Sequence, residues 1–373
     1  SADSAIRFNL RELRDKSRDQ ARNNDYAKRY LQLLVTNVVG QKGIRLQSKA
    51  RNERNQLETQ ANKFIENAWH KWSKRGNCTV DGKLSFIDCQ KLFIESLARD
   101  GEVLIRYFNT NDPQNPLKIQ FLDADYLDEE KNQTKKDGSN IIMGVEMDDF
   151  NKPLQYYLYA EHPNDVYFRK KSKQHEVVSA DDILHAYMAD RSEQTRGVPF
   201  MATALNRLKM IDGYEEAELV AARVAASKMG FFTSPSGDGY VGDDTEDSYT
   251  PIMSAEAGTF EQLPDGMGFQ SFDPQHPTSG FDSFHKAVLR GIASGLGVSY
   301  VSLANNLEGV NYSSIRQGTL EERDNYRILQ QFMIEHFIEP VFRKWLLQNM
   351  SFKTDFLLGD NKFDQFADSA IFV

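Results

Sequence analysis

The spacing of hydrophobic and polar positions changes along the chain, and each spacing predicts a different kind of element. Residues 5–34, 53–74 and 84–98 place apolar side chains three and four positions apart, as in amphipathic helices. From Glu102 onward the apolar runs are short and bounded by Asn, Asp, Pro and Lys, as in strands joined by exposed turns. The first half of the chain is therefore predicted to be α+β, with helices followed by one antiparallel sheet.

The second half predicts three helices, two of them joined by a loop. Residues 201–229 form an alanine-rich helix, and small side chains suit close packing against neighbours. Residues 278–297 form a helix with one apolar stripe, and residues 313–350 form a much longer helix that Pro340 should kink. Residues 298–312 are rich in Asn and Gly, so an irregular loop is expected between the last two helices.

A stretch rich in Gly, Pro, Ser and Asp separates the first two of these helices. It covers residues 230–277 and contains short runs that suit β-strands. The pattern predicts a small inserted subdomain, flanked by two helices that run side by side.

Composition limits the class of protein. With 373 residues, 40% hydrophobic and 27% charged, the chain is expected to be soluble and to contain more than one substructure. Neither a membrane-spanning run nor a signal-peptide core is expected, which predicts a cytosol-like compartment. Cys78 and Cys89 are expected to be buried or idle thiols. A net charge of −9 argues against a protein that grips nucleic acid, but not against one that DNA merely passes.

An acidic run after one predicted strand offers a candidate metal site. Asp123 and Asp125, followed by Asp128, Glu129 and Glu130, suit Mg²⁺ or Mn²⁺ in a metal-dependent transferase. The competing interpretation is a solvated acidic turn, which we favour because neither a Gly-rich phosphate loop nor a Lys/Arg clamp accompanies it in the sequence.

Other sequence motifs do not support a cofactor or metal site. Gly237, Gly239 and Gly242 match a dinucleotide fingerprint, but acidic residues follow where a helix should receive a pyrophosphate. The sequence contains neither a phosphate-binding GxxxxGK[ST] motif nor an HExxH zinc motif. We therefore predict no cofactor, no metal, no catalytic residue and no enzyme activity.

Longer segments carry a resemblance that covers nearly the whole chain in order. They are LRELRDKSRDQARNNDYA, TNVVGQKGIRLQ, RDGEVLIRY, GVEMDD, RSEQTRGVPF, DGYEEAELVAARVAASKMGFF and ASGLGVSYVSLANNLEGVNYSSIRQGTLEERD. Together they are similar to the portal proteins of lambda-type tailed bacteriophages. The resemblance implies a portal fold whose parts are a wing (1–200), two stem helices (201–229 and 278–297), a clip (230–277), a tunnel loop (298–312), a long helix (313–350) and the start of a shortened crown (351–373).

The resemblance also implies a role. Such a chain is expected to form a ring of about twelve copies at the unique capsid vertex, where the genome is packaged and later ejected. Expected partners are the terminase large subunit, head-completion or adaptor proteins, capsid and scaffold proteins, and double-stranded DNA bound without sequence preference, but no membrane. The expected locations are the virion and, during assembly, the host cytoplasm. A different structural ring of the virion remains an alternative.

Two groups of residues are candidate sites under this resemblance. The 298–312 segment contains no Lys or Arg, which suits a pore that DNA slides through, because each phosphate contact would hold the DNA back. The residues expected to line the pore are Asn305, Asn306, Glu308, Asn311 and Tyr312. The residues expected to dock partners at the clip are Asp243, Asp244, Glu246 and Asp247.

Overall fold

The computed structural model of the chain describes eleven stretches of sequence. They are residues 1–52, 54–110, 112, 114–136, 138–165, 174–226, 230–233, 268–271, 280–308, 312–352 and 362–373. The described chain divides into two compact units. The larger unit combines Ser1–Lys209 with Leu289–Val373, and the smaller unit is Met210–Val288.

Helices dominate the start of the larger unit. They are α1 (Ala2–Ile6), α2 (Leu10–Asn23), α3 (Asp25–Leu34), α4 (Thr59–Trp72) and α5 (Phe86–Asp100). The predicted single helix over residues 5–34 is divided because Asn24 adopts an extended conformation and its side chain caps α3. A capping box between Ser85 and Asp88 begins α5, and Gly101 ends it in the left-handed conformation.

The strands of the larger unit form antiparallel sheets, in agreement with the predicted mixture of helices and antiparallel strands. In chain order they are β1 (Leu46–Ser48), β2 (Glu102–Asn109), β3 (Leu117–Leu122), β4 (Gln133–Thr134), β5 (Asn140–Ile142), β6 (Val145–Met147), β7 (Pro153–Tyr159), β8 (His175–Ser179) and β9 (Ile183–Tyr187).

The prediction of one antiparallel sheet was wrong, because these strands form two main sheets. One has the order β3-β2-β9, and the other is a five-stranded meander from β4 to β8. The chain leaves β8 through a single 3₁₀ turn, Ala180–Asp182, which the Ser179 side chain caps. That turn redirects β9 away from β8, so that Leu184 pairs with Ile105 of β2.

An aromatic cluster forms the core between α4, α5 and the C-terminal helices. Trp69 and Trp72 stack on each other with centroids 4.8 Å apart, and both approach Trp345. Phe337 stacks on Phe93 at 4.8 Å. Both tryptophans are buried and belong to the core.

The C-terminal part of the larger unit contains the loop segment and the long helix. It begins at Leu289, within α7 (Phe281–Leu296), and continues through α8 (Tyr300–Ala304), α9 (Tyr312–Met333), α10 (Glu339–Phe352) and α11 (Phe363–Asp368), and β12 (Ala370–Phe372) pairs with β1. The preceding helix, α6 (Leu205–Ala226), lies mostly in the smaller unit. Residues 298–312 are therefore not irregular throughout, because α8 lies inside them.

The long helix has a widened turn just before Pro340, the residue at which a kink was predicted. A π-helical turn at Ile334–Ile338 joins α9 to α10. Pro340 has no N–H to donate to the carbonyl four residues earlier, and its ring would press on that carbonyl. The Glu339 N–H instead reaches back five residues to the Ile334 carbonyl, which widens the turn just before the proline.

The smaller unit contains the greater part of α6 (Leu205–Ala226), the start of α7 and a hairpin of β10 (Gly230–Thr233) and β11 (Gly268–Ser271). Tyr214 of α6 stacks on Phe281 and meets Phe284 edge-on, so aromatic contacts join the two helices. A hydrogen bond between Glu215 and His285 lies beside them. None of the described helices is both long enough and apolar enough to span a bilayer.

Candidate functional site

The base of the 298–312 segment is attached to two other helices. Ser299 caps α8 by accepting the Ser302 N–H at 3.1 Å. The Asn325 side chain of α9 donates to the Gly297 carbonyl at 3.2 Å, and Arg29 of α3 donates to the Ser302 carbonyl at 3.2 Å. Leu303 is buried beneath these contacts. The base is therefore held by packing and by hydrogen bonds from both sides.

The tip of the segment is polar and exposed. Asn305 ends α8 in the left-handed conformation that asparagine tolerates, and both it and Glu308 are exposed. Asn306 is half-buried, donates to the Tyr300 hydroxyl at 3.3 Å and accepts the Glu308 N–H at 2.8 Å. The structure thus places three of the five predicted pore residues together. Leu307 beside them is 66% exposed and was not predicted.

The other two predicted pore residues are not placed in the same detail. Asn311 lies outside the described residues. Tyr312 is the first residue of α9, so the helix begins one residue before the predicted start at 313.

Two arginines that the sequence did not associate with the loop lie at its base. The guanidinium of Arg290 sits 5.4 Å from the centre of the Tyr300 ring, in addition to the Arg29 contact. Arg29 is 273 positions from Ser302 in sequence, so no local pattern could have indicated this contact. The segment itself contains no Lys or Arg, and Arg29 and Arg290 both contact its base.

A dense cluster of charges lies elsewhere in the larger unit and includes the candidate metal ligands. Arg18 of α2 donates to Asp100, Asp123 and Asp125 at 2.6–2.7 Å. Arg14 of α2 pairs with Asp125 at 3.2 Å and with Glu129 at 2.6 Å. Arg14 is buried, so this face of α2 packs against the rest of the larger unit.

Glu102, the first residue of β2, is the centre of this cluster. Its carboxylate accepts hydrogen bonds from Arg14 at 2.8 Å and from two nitrogens of Arg196, and it lies 3.0 Å from His185 Nε2. Burial opposes the charged form, but Arg196 and His185 outweigh burial and hold the pKa of Glu102 well below its ordinary value. Burial also lowers the pKa of His185, which favours a neutral imidazole.

Two glycines allow the chain at 196–199 to pass close to the residue before β2. Gly101 and Gly197 are in contact, and a Cβ on either would overlap the backbone of the opposite segment. The chain at 196–199 can therefore reach the start of β2 and deliver Arg196 to Glu102.

The acidic run is thus a set of ion-paired carboxylates. Among the described residues, the ligand atoms of Asp123, Asp125 and His162 lie within 4.8 Å of one another, a separation that a metal ion could bridge. However, Arg18 donates to both carboxylates, so the charge that a cation would neutralise is already neutralised. Burial opposes ionisation of Asp123, but the Asp125 backbone N–H and Arg18 still lower its pKa. The basic residues that were not found beside the acidic run in the sequence are Arg14 and Arg18 of α2.

The acidic residues predicted for partner docking lie outside the described residues. They are Asp243, Asp244, Glu246 and Asp247. The structure consequently gives no account of them.

Structures with the same fold occur in virus-like particles. One is a chain of the virion of a native gene transfer agent particle, with TM-score 0.54, 12% identity, and coverage of 92% of this chain and 81% of that one. Another is a chain of the neck of an empty gene transfer agent particle computed with C6 symmetry, with TM-score 0.54, 14% identity, and coverage of 90% and 82%.

Sequence relatives identify the family. The probable portal protein of Halomonas phage phiHAP-1 is 37% identical over 92% of this chain and 67% of its own length. Portal protein B of Escherichia phage lambda is 23% identical over 93% of this chain and 70% of its own length. The family model described as phage portal protein, lambda family, matches residues 1–330. The chain therefore belongs to the lambda family of phage portal proteins.

Proposed function

We propose that this portal protein is the subunit of a ring of about twelve copies at one capsid vertex, surrounding a channel through which the genome enters and leaves. The observation that carries the proposal is the match of residues 1–330 to the lambda portal family. The fold shared with a chain from the neck of a gene transfer agent particle supports it. The metal-dependent transferase is not favoured, because Arg14 and Arg18 pair with its candidate ligands. We assign the chain a structural role without catalysis.

The parts of the chain receive roles within that ring. Residues 1–200 form the wing, 201–229 and 278–297 form the stem, and 230–277 form the clip. The long helix at 313–350 carries the loop, and residues 351–373 begin the crown. The aromatic contacts of Tyr214 with Phe281 and Phe284 support a two-helix stem.

The 298–312 segment is proposed to line the narrowest part of the channel. A polar tip without Lys or Arg offers DNA weak contacts of similar strength at every position, which suits sliding in both directions. The attached base supports the same role, since a fixed base sets the position of the tip. Asn305, Asn306, Glu308, Asn311 and Tyr312 are the proposed contact residues.

The remaining partners follow from the same assignment. The clip is proposed to meet the terminase large subunit during packaging and head-completion or adaptor proteins afterwards, with its acidic residues facing basic surfaces. Capsid and scaffold proteins are proposed to surround the ring. The subunit would assemble in the host cytoplasm and remain in the virion.

Electron microscopy of the purified, negatively stained protein tests the ring. We expect closed rings with a central hole, unchanged by chelators or added Mn²⁺. Monomers whose group-transfer activity depends on Mn²⁺ would overturn the proposal in favour of a transferase. Rings that fail to bind the terminase would indicate a different ring component of the virion.

A further inference from the structure

Glu322 is a buried acid in the middle of α9 whose carboxylate meets the first turn of α8. Its Oε2 accepts the hydroxyl of Ser302 at 2.8 Å and that of Ser299 at 3.2 Å. Its Oε1 accepts the hydroxyl of Tyr326, one turn further along α9, at 2.8 Å. The residue is 8% exposed. A buried carboxylate is costly unless its oxygens are hydrogen-bonded, and here both oxygens hold hydroxyl groups.

The neighbouring tyrosine strengthens this arrangement. Burial, together with the hydrogen bond to Glu322, raises the pKa of Tyr326 above its ordinary value. Its hydroxyl therefore stays protonated and remains a donor. Tyr326 donates to one oxygen of the carboxylate, while Ser299 and Ser302 donate to the other.

The same serines determine the start of α8. Ser299 is its N-cap, and Ser302 lies in its first turn, so Glu322 holds the two residues that begin this helix. A five-residue helix is too short to be stable alone and depends on such contacts. The exposed tip at Asn305 follows directly.

We propose that Glu322 is the positioning residue of the 298–312 segment, joining the base of the segment to α9 so that the tip keeps a fixed place relative to the long helix. The inference rests on the proposed function, in which that tip lines the DNA channel. Glu322 itself touches no DNA in this proposal, and it acts through Ser299 and Ser302.

Amide hydrogen exchange on the full-length assembled protein tests the attachment. In Glu322→Ala we expect the amides of residues 298–304 to exchange about tenfold faster or more, because the short helix opens locally. Glu321→Ala is the matched control, since it removes an exposed acid from the adjacent position of the same helix. We expect no change there. Ser302→Ala is a milder second variant, which keeps the test usable if Glu322→Ala fails to fold.

Rescue separates positioning from general stabilisation. The amide oxygen of Glu322→Gln can accept the serine hydroxyls in the place of Oε2 while its NH2 donates to the Tyr326 hydroxyl, so we expect it to restore slow exchange at 298–304, whereas Glu322→Leu should not. Thermal unfolding followed by circular dichroism checks that each variant keeps its fold. DNA retention in particles carrying each variant then shows whether a loosened base affects the channel.

Faster exchange at 298–304 in Glu322→Ala, restored by glutamine and accompanied by reduced DNA retention, supports the inference. Unchanged exchange overturns it. Faster exchange with normal packaging and retention also overturns it, because the attachment would then position nothing that DNA meets. Electron microscopy of the unaltered protein distinguishes the two proposals. If it showed no rings, the portal ring would be refuted, whereas amide exchange would still measure whether Glu322 holds residues 298–304.

Discussion

At the scale of single residues, Glu102 and Arg196 form a buried ion pair on which the fold of the larger unit depends. Both side chains are fully buried, and each is the main partner of the other. Removing Arg196 would leave the buried Glu102 carboxylate with Arg14, which Asp125 and Glu129 share, and such a shortfall of positive charge around a buried acid is much more costly than losing an exposed pair.

Arg196→Met should therefore lower the free energy of unfolding by about 3–5 kcal/mol. Arg327→Met is the matched control, because Arg327 pairs with Asp324 where both side chains are more than 70% exposed, and it should cost less than about 1 kcal/mol. Urea denaturation measures both. If the stranded charge is the cause, adding Glu102→Gln to Arg196→Met should recover part of the loss, and equal effects of the two arginine variants would contradict the account.

The exposed tip of the 298–312 segment, proposed to line the channel, supports a second prediction at this scale. Glu308→Lys combined with Asn306→Lys adds cations where DNA is proposed to slide, so packaging should slow and DNA should be trapped, with relief at higher salt. The rate of DNA entry in a packaging assay measures this effect.

The control for the loop variant makes the same charge change elsewhere. Asp19→Lys with Asn23→Lys adds equal charge to exposed positions of α2 and should leave packaging unchanged. Normal packaging by the loop variant would argue against a place for Asn306 and Glu308 in the pore.

Sequence reasoning at the residue scale succeeded where neighbours in the chain decide the outcome. The Asn-rich composition that predicted a break near Asn305 is a local signal, and Asn305 does end α8. The ion pairs of Asp123 and Asp125 were missed because Arg18 lies 105 and 107 positions away. Only the packing of α2 against α5 brings these charges together.

At the scale of elements, the spacing of apolar residues predicted most helices and strands. It did not predict where a helix is interrupted or which strands pair. The predicted helix at 278–297 and the short strands at 231–233 and 269–272 correspond to α7, β10 and β11. The π-helical turn at Ile334–Ile338 could not be foreseen, because Pro340 signals a disturbed helix without specifying how the backbone adapts. Likewise, the separation of β9 from β8 depends on which partner each strand finds.

The acidic clip segment supports a prediction at this scale. Reversing Asp243, Asp244, Glu246 and Asp247 to Lys should weaken binding of the terminase large subunit by about tenfold at low salt, since like charges would then meet across the interface. Binding measured over a range of salt concentrations checks this. The matched control reverses four acids of α2 and α3: Glu12, Asp15, Asp19 and Asp25. If the clip variant bound the terminase large subunit as tightly as the unaltered protein does, these acids would not be a docking site.

At the scale of the whole molecule, the family was evident from long ordered segments rather than from any short motif. The match to the lambda portal family over residues 1–330 agrees with the resemblance seen in the sequence. Composition alone indicated only a soluble chain with more than one substructure, and the two compact units fit that expectation. The boundaries of wing, stem and clip remain predictions, because they depend on neighbouring subunits that a single chain does not contain.

The larger unit is made from two separated pieces of chain, and this has a consequence for synthesis. Trp69, Trp72 and Phe93 are translated early, whereas Phe337 and Trp345, which complete their cluster, come after the whole smaller unit. Strand β1 likewise waits for β12. A nascent chain that has emerged only as far as Lys209 therefore exposes an unfinished apolar surface, which stays open until the segment that carries Phe337 and Trp345 has followed the smaller unit.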